Sequence, residues 1–255
     1  MKEKVIYYSD ELNDDFANTN IIPVKINGDY KYIRKNIFWK IGHFILYRLF
    51  ATPFAFLYTK LKFHHKIENK EVLKKIKKEG YFLYGNHTQK FADAFIPSML
   101  TYSKRAYLIV HPDSVSIKGL KNVTPMLGAL PLPSCITSTK NFLYALEKRT
   151  LEGNVVVIYP EAHIWPYYTK IRNFKSSSFK YPIKFETPTF CFTNTYQKRK
   201  FSKKPKIVTY IDGPFYPDND LPLKEREIDL RNRIFETMKY RSEKNEIEYV
   251  KYVKK

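Results

Sequence analysis

The sequence predicts an α/β fold, a largely parallel central sheet flanked by helices, with an N-terminal amphipathic helical segment. Three observations predict it. The runs 81–84 (YFLY), 106–110 (AYLIV) and 154–160 (NVVVIYP) are continuously apolar at strand length, as strands buried on both faces are. Helix-length segments separate them, and such crossovers are what parallel strands need. With 44% apolar residues in 255, the chain has enough material for one substantial core.

The elements follow in order. Residues 1–35 read as an N-terminal extension, 36–61 as an amphipathic membrane-interface segment and 62–255 as the α/β domain. A short strand after Lys62 leads to a helix from about Lys70 that stops at Gly80. The strand 81–84 feeds a helix over 91–103, and 106–110 is the next strand. Residues 117–127 are irregular or helical, and GALPLP enters an edge strand or loop. Thr137 to Glu152 is a helix, with Phe142, Leu143 and Leu146 at helical spacing and Gly153 as its stop. The segments TPTFCFTNTY and KIVTYIDGP are two further strands, and Leu223 to Arg241 closes the fold as a charged helix.

Forty-five Lys and Arg against 25 Asp and Glu leave a formal charge of +20, which favours an anionic partner. Cys135 and Cys191 show neither a disulfide framework nor zinc spacing, as in a protein of the reducing cytoplasm. The first twenty residues lack the basic start and apolar block of a secretory signal. In the segment 36–61, Lys40, His43 and Arg48 interrupt the apolar run, so it is expected to lie on a bilayer rather than cross it, with Pro53 as a kink or break. Phe38, Ile41, Ile45 and Leu49 share one helical face; Lys40, His43 and Tyr47 share another. Such a helix rests in the interface, its cations reaching headgroups and Trp39 and Tyr47 at the boundary, or packs on the protein's own core.

Two predicted strands end in ionisable residues: YGNH at His87, followed by Asp93, and VVVIYPEAH at Glu161 and His163. In a parallel sheet the carboxyl ends of strands are where ligands sit, so neighbouring strands would bring these groups into one cleft. Asp93 accepting from one ring nitrogen would leave the other free to take a proton from a hydroxyl. No Gly-x-Ser-x-Gly elbow is present and neither Cys adjoins this pair, so attack by the acceptor itself is expected.

Four pieces in order, GNHTQKFAD (85–93), LGALPLPS (127–134), IYPEAH (158–163) and ETPTFCF (186–192), resemble the glycerolipid (lysophospholipid) acyltransferase superfamily, lysophosphatidate acyltransferase-like and divergent, over roughly residues 60–215. The resemblance implies a membrane-associated enzyme of phospholipid biosynthesis, peripheral on the cytoplasmic face, that moves an acyl group from coenzyme A or acyl carrier protein to a lipid hydroxyl. It needs no further cofactor and no metal. His87 would be the general base, oriented by Asp93. Asn86, Thr88, Gln89, Gly128, Ser134, Pro160, Glu161 and His163 would line the substrate site.

The chain departs from the family pattern in three places. Five residues rather than four separate His87 from Asp93, Ser134 stands where the second motif has its phosphate-binding Arg, and Ile164 replaces the Arg of the third. A guanidinium grips phosphate bidentately, which Ser and Ile cannot do. The acceptor is therefore expected to be a glycolipid, a lysophospholipid or another hydroxyl compound, with Lys170 and Arg172 as substitute charge or simply a solvated basic loop.

Two rival readings stand beside this one. His87, Asp93, Glu161 and His163 are residue types that ligate zinc or manganese, as in a metal-dependent hydrolase, but no compact signature such as His-Glu-x-x-His accompanies them. KRKFSKKPK (198–206) has the charge of a nucleic-acid contact, yet it lies between two predicted strands, where a hairpin loop explains it, and no nucleic acid is expected as partner.

Overall fold

The computed structural model describes residues 4–17 and 21–255; part of the expected N-terminal extension, residues 1–3 and 18–20, lies outside them. Strands β1 (Val5–Tyr8), β2 (Lys66–Glu68), β3 (Tyr81–Gly85), β4 (Ala106–Val110), β5 (Ala129–Pro131), β6 (Val155–Ile158), β7 (Thr189–Arg199), β8 (Ser202–Phe215) and β9 (Lys251–Lys254) form two sheets. The main sheet has the order β2-β8-β7-β3-β6-β4-β5. β7, β3, β6, β4 and β5 run parallel, while β8 returns antiparallel to β7 with β2 alongside it. This is the largely parallel sheet the apolar runs predict, and residues 200–201 are the tip of the β7–β8 hairpin.

Side chains alternate between two buried layers. Phe82, Tyr84, Val156 and Ile158 pack on one side with Phe142 and Leu146 of the helix Ile136–Leu151 and Leu230 and Ile234 of the helix Leu223–Ser242. Tyr81, Leu83, Val155 and Val157 pack on the other with Ile96, Leu100, Phe190 and Phe192. Burial on both faces is why these strands carry no polar alternation.

The N-terminal helix corrects two expectations, Pro53 as a break and Tyr47 at a membrane boundary. It runs unbroken from Ile37 to Phe63, 27 residues, long and apolar enough by length and composition to cross a membrane. Pro53 does not break it, because a π-helical stretch, Ile45–Ala51, precedes the Pro and widens the turn, with the Thr52 N–H donating to the Tyr47 carbonyl. Tyr47 is buried rather than at a boundary, its hydroxyl accepting from the Ala106 N–H at 3.0 Å, and Arg48 donates to the Ser103 carbonyl at 2.8 Å, while Lys40 of the same face is exposed. Phe38, Ile41, Ile45 and Leu49, the expected apolar face, point outward together with Phe44 and Phe50. Tyr47, Thr52, Ala55, Thr59 and Phe63 are the residues buried against the domain.

Two expected helices are shorter. Lys70–Lys75 is a single 3₁₀ stretch, entered through Asn69 at φ 59°, and the Lys repeats at i,i+4 work against extending it. Residues 91–103 split into a 3₁₀ turn, Ala92–Ala94, and a helix, Ile96–Leu100, because the Asp93 carboxylate holds backbone amides upstream of it and Pro97 sits in the first turn. The small parallel sheet β1–β9, pairing Val5 with Lys251, is new.

Candidate active site

β3 and β6 are neighbours, so His87 and Glu161 do share the carboxyl end of the sheet. The site begins with Gly85. A Cβ there would lie 2.1 Å from the Phe192 ring, so only glycine lets that ring pass beneath the strand end. Phe192 meets Tyr159 edge-on at 5.9 Å, and Tyr159 stacks flat on the His87 imidazole at 4.3 Å. Asn86 extends the β3–β7 pairing by side chain: its amide donates to the Asn194 carbonyl at 3.0 Å and accepts from the Asn194 N–H at 2.8 Å.

His87 Nδ1 lies 2.8 Å from Asp93 Oδ2, so the five-residue gap still closes the dyad. The same carboxylate oxygen accepts from the Thr88 and Gln89 amides at 2.9 and 2.8 Å, turning the extra residue into a tight backbone loop around the Asp. The other oxygen accepts from the Asn194 amide at 3.4 Å. Burial pushes the Asp93 carboxyl up from its ordinary value, and the His87 and amide hydrogen bonds pull it back toward ionised.

The donors form a directed chain. His65 Nε2 meets Thr209 Oγ1 at 2.8 Å, Thr209 donates to Asn194 Oδ1 at 2.6 Å, and Asn194 donates to Asp93. Each of these residues is buried, and every donor points toward the carboxylate. An ionised Asp93 accepts only, so His87 carries its proton on Nδ1. Among the described residues, Nε2 has no hydrogen-bond partner, and the ring is 17% exposed. A neutral imidazole so held presents one basic nitrogen outward.

Glu161 braces this arrangement from below. Oε2 accepts from the His87 N–H at 3.0 Å and Oε1 from the Arg172 N–H at 3.0 Å, while the Arg172 guanidinium lies 3.4 Å from Oε2 with both side chains 1% exposed. Burial pushes Glu161 up, opposed chiefly by Arg172. The guanidinium also donates to the backbone carbonyls of His163 and Glu11 and lies over Trp165 at 4.9 Å. Arg172 is thus neither a solvated loop residue nor open to a headgroup; Lys170 is exposed.

The loop between Glu161 and Arg172 is clamped by the chain termini. Trp165 packs on Tyr8, Phe16 and Tyr252, and its indole donates to the Asp14 carbonyl at 2.7 Å. Ala162 takes φ 64°, in the left-handed region that favours glycine.

The remaining expected residues are placed as follows. Thr88 and Gln89 are buried, held by the Tyr196 hydroxyl at 2.8 and 3.0 Å. Pro160 is half-buried beside Glu161, and His163 turns toward Asp15, 3.9 Å away. Ser134 accepts from the Ile26 N–H at 3.0 Å, fastening the N-terminal segment beyond β5. Gly128, φ 102°, stands at the amino end of β5, where a Cβ would meet the Ala106 carbonyl at 2.5 Å; it is at the opposite end of the sheet from His87. Among the described residues no three His, Cys, Asp or Glu converge as metal ligands. His65, Asn194, Thr209, Tyr159 and Tyr196 were not singled out from the sequence. A signal for Asn194 existed: it is the polar member of a strand face otherwise made of Phe190, Phe192 and Tyr196.

No family model and no curated protein matches the sequence. A solved structure does match the fold: the 1-acyl-sn-glycerophosphate (LPA) acyltransferase PlsC from Thermotoga maritima superposes with a TM-score of 0.56 at 16% identity, over 82% of this chain and 84% of that one. The chain therefore has the α/β fold of that acyltransferase, the fold class its buried apolar strands and intervening helices predict.

Proposed function

We propose that the protein transfers an acyl group from a thioester to a hydroxyl of a lipid acceptor at a membrane surface. The observation that carries this reading is the His87–Asp93 pair, with Nδ1 locked and Nε2 open, at the carboxyl end of a sheet shared with a PlsC acyltransferase. His87 Nε2 takes the acceptor's proton as its oxygen attacks the thioester carbonyl. The carbon–sulfur bond then breaks, and the proton on His87 passes to the departing thiolate. Asp93 keeps the tautomer and stabilises the transient imidazolium. Glu161 fixes the His87 backbone and, with both oxygens already occupied, acts through it.

The exposed face of the N-terminal helix supports the membrane setting. Phe54 and Tyr58 of that helix pack on Phe95 and Phe91, which flank Asp93, so the apolar surface reaches the dyad loop. A helix of this kind lies in the headgroup boundary with its outward apolar face immersed. We place it on the cytoplasmic leaflet, with acyl carrier protein or coenzyme A thioester as donor, consistent with the free thiols Cys135 and Cys191. Ser134 and Ile164 stand at the family's phosphate positions, and Arg172, the candidate substitute, is engaged by Glu161. The acceptor we favour is accordingly a lysophospholipid or glycolipid rather than a lysophosphatidate.

The test is thiol release from long-chain acyl thioesters of both carriers in the presence of lysophosphatidate, lysophospholipids with capped phosphates, and glycolipids. Release that depends on one of the latter is expected. Release with none of them, or equal release without acceptor, would overturn the reading.

A further inference from the structure

Beside the edge strand β5, the chain from Val24 to Trp39 and the crossover that joins β4 to β5 enclose an open groove of about 1200 Å³. None of its lining residues belongs to the His87 loop or to the 161–172 loop. Lys25, Lys31, Arg34, Lys35 and Lys121 line it against one carboxylate, Asp29. Among the described residues none of these five cations has an ion-pair partner. Arg34 is the best placed: its guanidinium lies over Trp39 at 3.8 Å, one nitrogen reaches Asn122 Oδ1 at 3.4 Å, and Nε is buried with no partner. The same groove is also lined by apolar side chains, Ile33, Phe38, Trp39, Val115 and Met126. Phe38, 80% exposed, also belongs to the outward face at the start of the N-terminal helix, so the groove opens where that helix would meet a bilayer.

Clustered like charges repel, and an anion seated among them relieves that cost. A free phosphate would leave the apolar lining unused. An anionic phospholipid uses both kinds of lining, its phosphate among the cations and the first part of a chain against the apolar side chains. We propose that this groove is a binding site for an anionic phospholipid of the membrane, separate from the dyad, that fixes how the protein sits on the bilayer. The proposal rests on the membrane setting argued above and not on the acyl-transfer chemistry.

The test uses the full chain and soluble, short-chain phosphatidylglycerol or phosphatidylcholine below the micelle concentration, one chain brominated to quench tryptophan. Of the two Trp residues, Trp39 lines the groove and Trp165 is fully buried elsewhere. Phosphatidylglycerol is expected to quench saturably, phosphatidylcholine not, and Trp39→Phe is expected to remove the quench. The exposed-cation variant Lys31→Glu/Lys35→Glu/Lys121→Glu should weaken binding by about tenfold or more. Lys200→Glu/Lys203→Glu/Lys204→Glu, with the same change of net charge at the hairpin tip, should change it less than about threefold. His87→Ala should bind as the parent does, which separates this proposal from the catalytic one. Equal loss in the two charge variants, equal quenching by both lipids, or an acidic carrier protein occupying the groove while the lipid does not quench would overturn the proposal.

Discussion

Replacing Arg172 by Met tests the bracing of the site most severely. In the folded protein the Glu161 and Arg172 side chains are each 1% exposed, and among the described residues the guanidinium is the one cationic group hydrogen-bonded to Glu161. Met fills most of the arginine's volume, so cavity costs stay small and the electrostatic effect dominates. The Glu161 carboxylate would keep two backbone donors, the N–H groups of residues 87 and 172, but lose its counter-charge. Breaking a buried pair from one side costs about 3–5 kcal/mol. The cost has a sign in pH. Burial already raises the Glu161 carboxyl, and Arg172 is the leading influence holding it down, so removing Arg172 raises it further. A carboxyl raised in the folded state loses stability as pH climbs from its unfolded value, about 4.3, through the folded one. The penalty is therefore expected to be full near pH 8 and to shrink toward pH 5. Urea unfolding of the parent and Arg172→Met proteins at both pH values reads it directly. A loss below about 1 kcal/mol at pH 8, or one that is the same at pH 5, would refute the reasoning.

Three other outcomes follow from the same geometry. His65 is buried neutral, its imidazole pushed down to about 4 by burial first and Lys60 second, so between about pH 6.5 and 4 the unfolded chain binds a proton that the folded one does not. Lowering pH from 7 to 4.5 should cost about 2.5 kcal/mol through this group, and His65→Asn should flatten the acid limb of a urea-denaturation series by one proton. Gly85→Ala forces a methyl into the Phe192 ring, displaces Tyr159 from His87, and should lower stability by about 1–3 kcal/mol together with turnover, read by unfolding and thiol-release assays on the same sample. Phe44→Glu and Leu49→Glu each place a charge on the outward helix face; co-sedimentation with neutral phosphatidylcholine vesicles should fall about tenfold for each, with unchanged far-ultraviolet circular dichroism.

Much of the sheet was legible because its strands are buried on both sides: 81–84, 106–110 and 154–160 advertise themselves by unbroken apolarity, and the edge strand β5 by its brevity and prolines. The dyad was legible because its members lie six residues apart on one loop. What local pattern could not give was set by distant pairing. β1 and β9 come from opposite ends of the described chain. The His65–Thr209–Asn194 chain links three strands' worth of sequence, and only their adjacency turns ordinary polar residues into a relay. Arg172 shows the same limit from the other side: in PYYTKIR it reads as one more surface cation, and only the fold buries it against Glu161 while Lys170, two residues earlier, stays in water. The N-terminal helix was read correctly in its two faces, but which face meets the protein depends on Ala106 and Ser103, partners more than fifty residues away.

The central claim is that His87 Nε2, oriented by Asp93, is the base that carries acyl transfer. The most direct measurement is single-turnover formation of acylated lipid from a thioester in the parent, His87→Ala and Asp93→Asn proteins, each checked for retained vesicle binding. The account predicts that both variants bind membrane as the parent does and that the transfer rate falls about 10²–10⁴-fold in each. Transfer that persists at the parental rate in His87→Ala would contradict it.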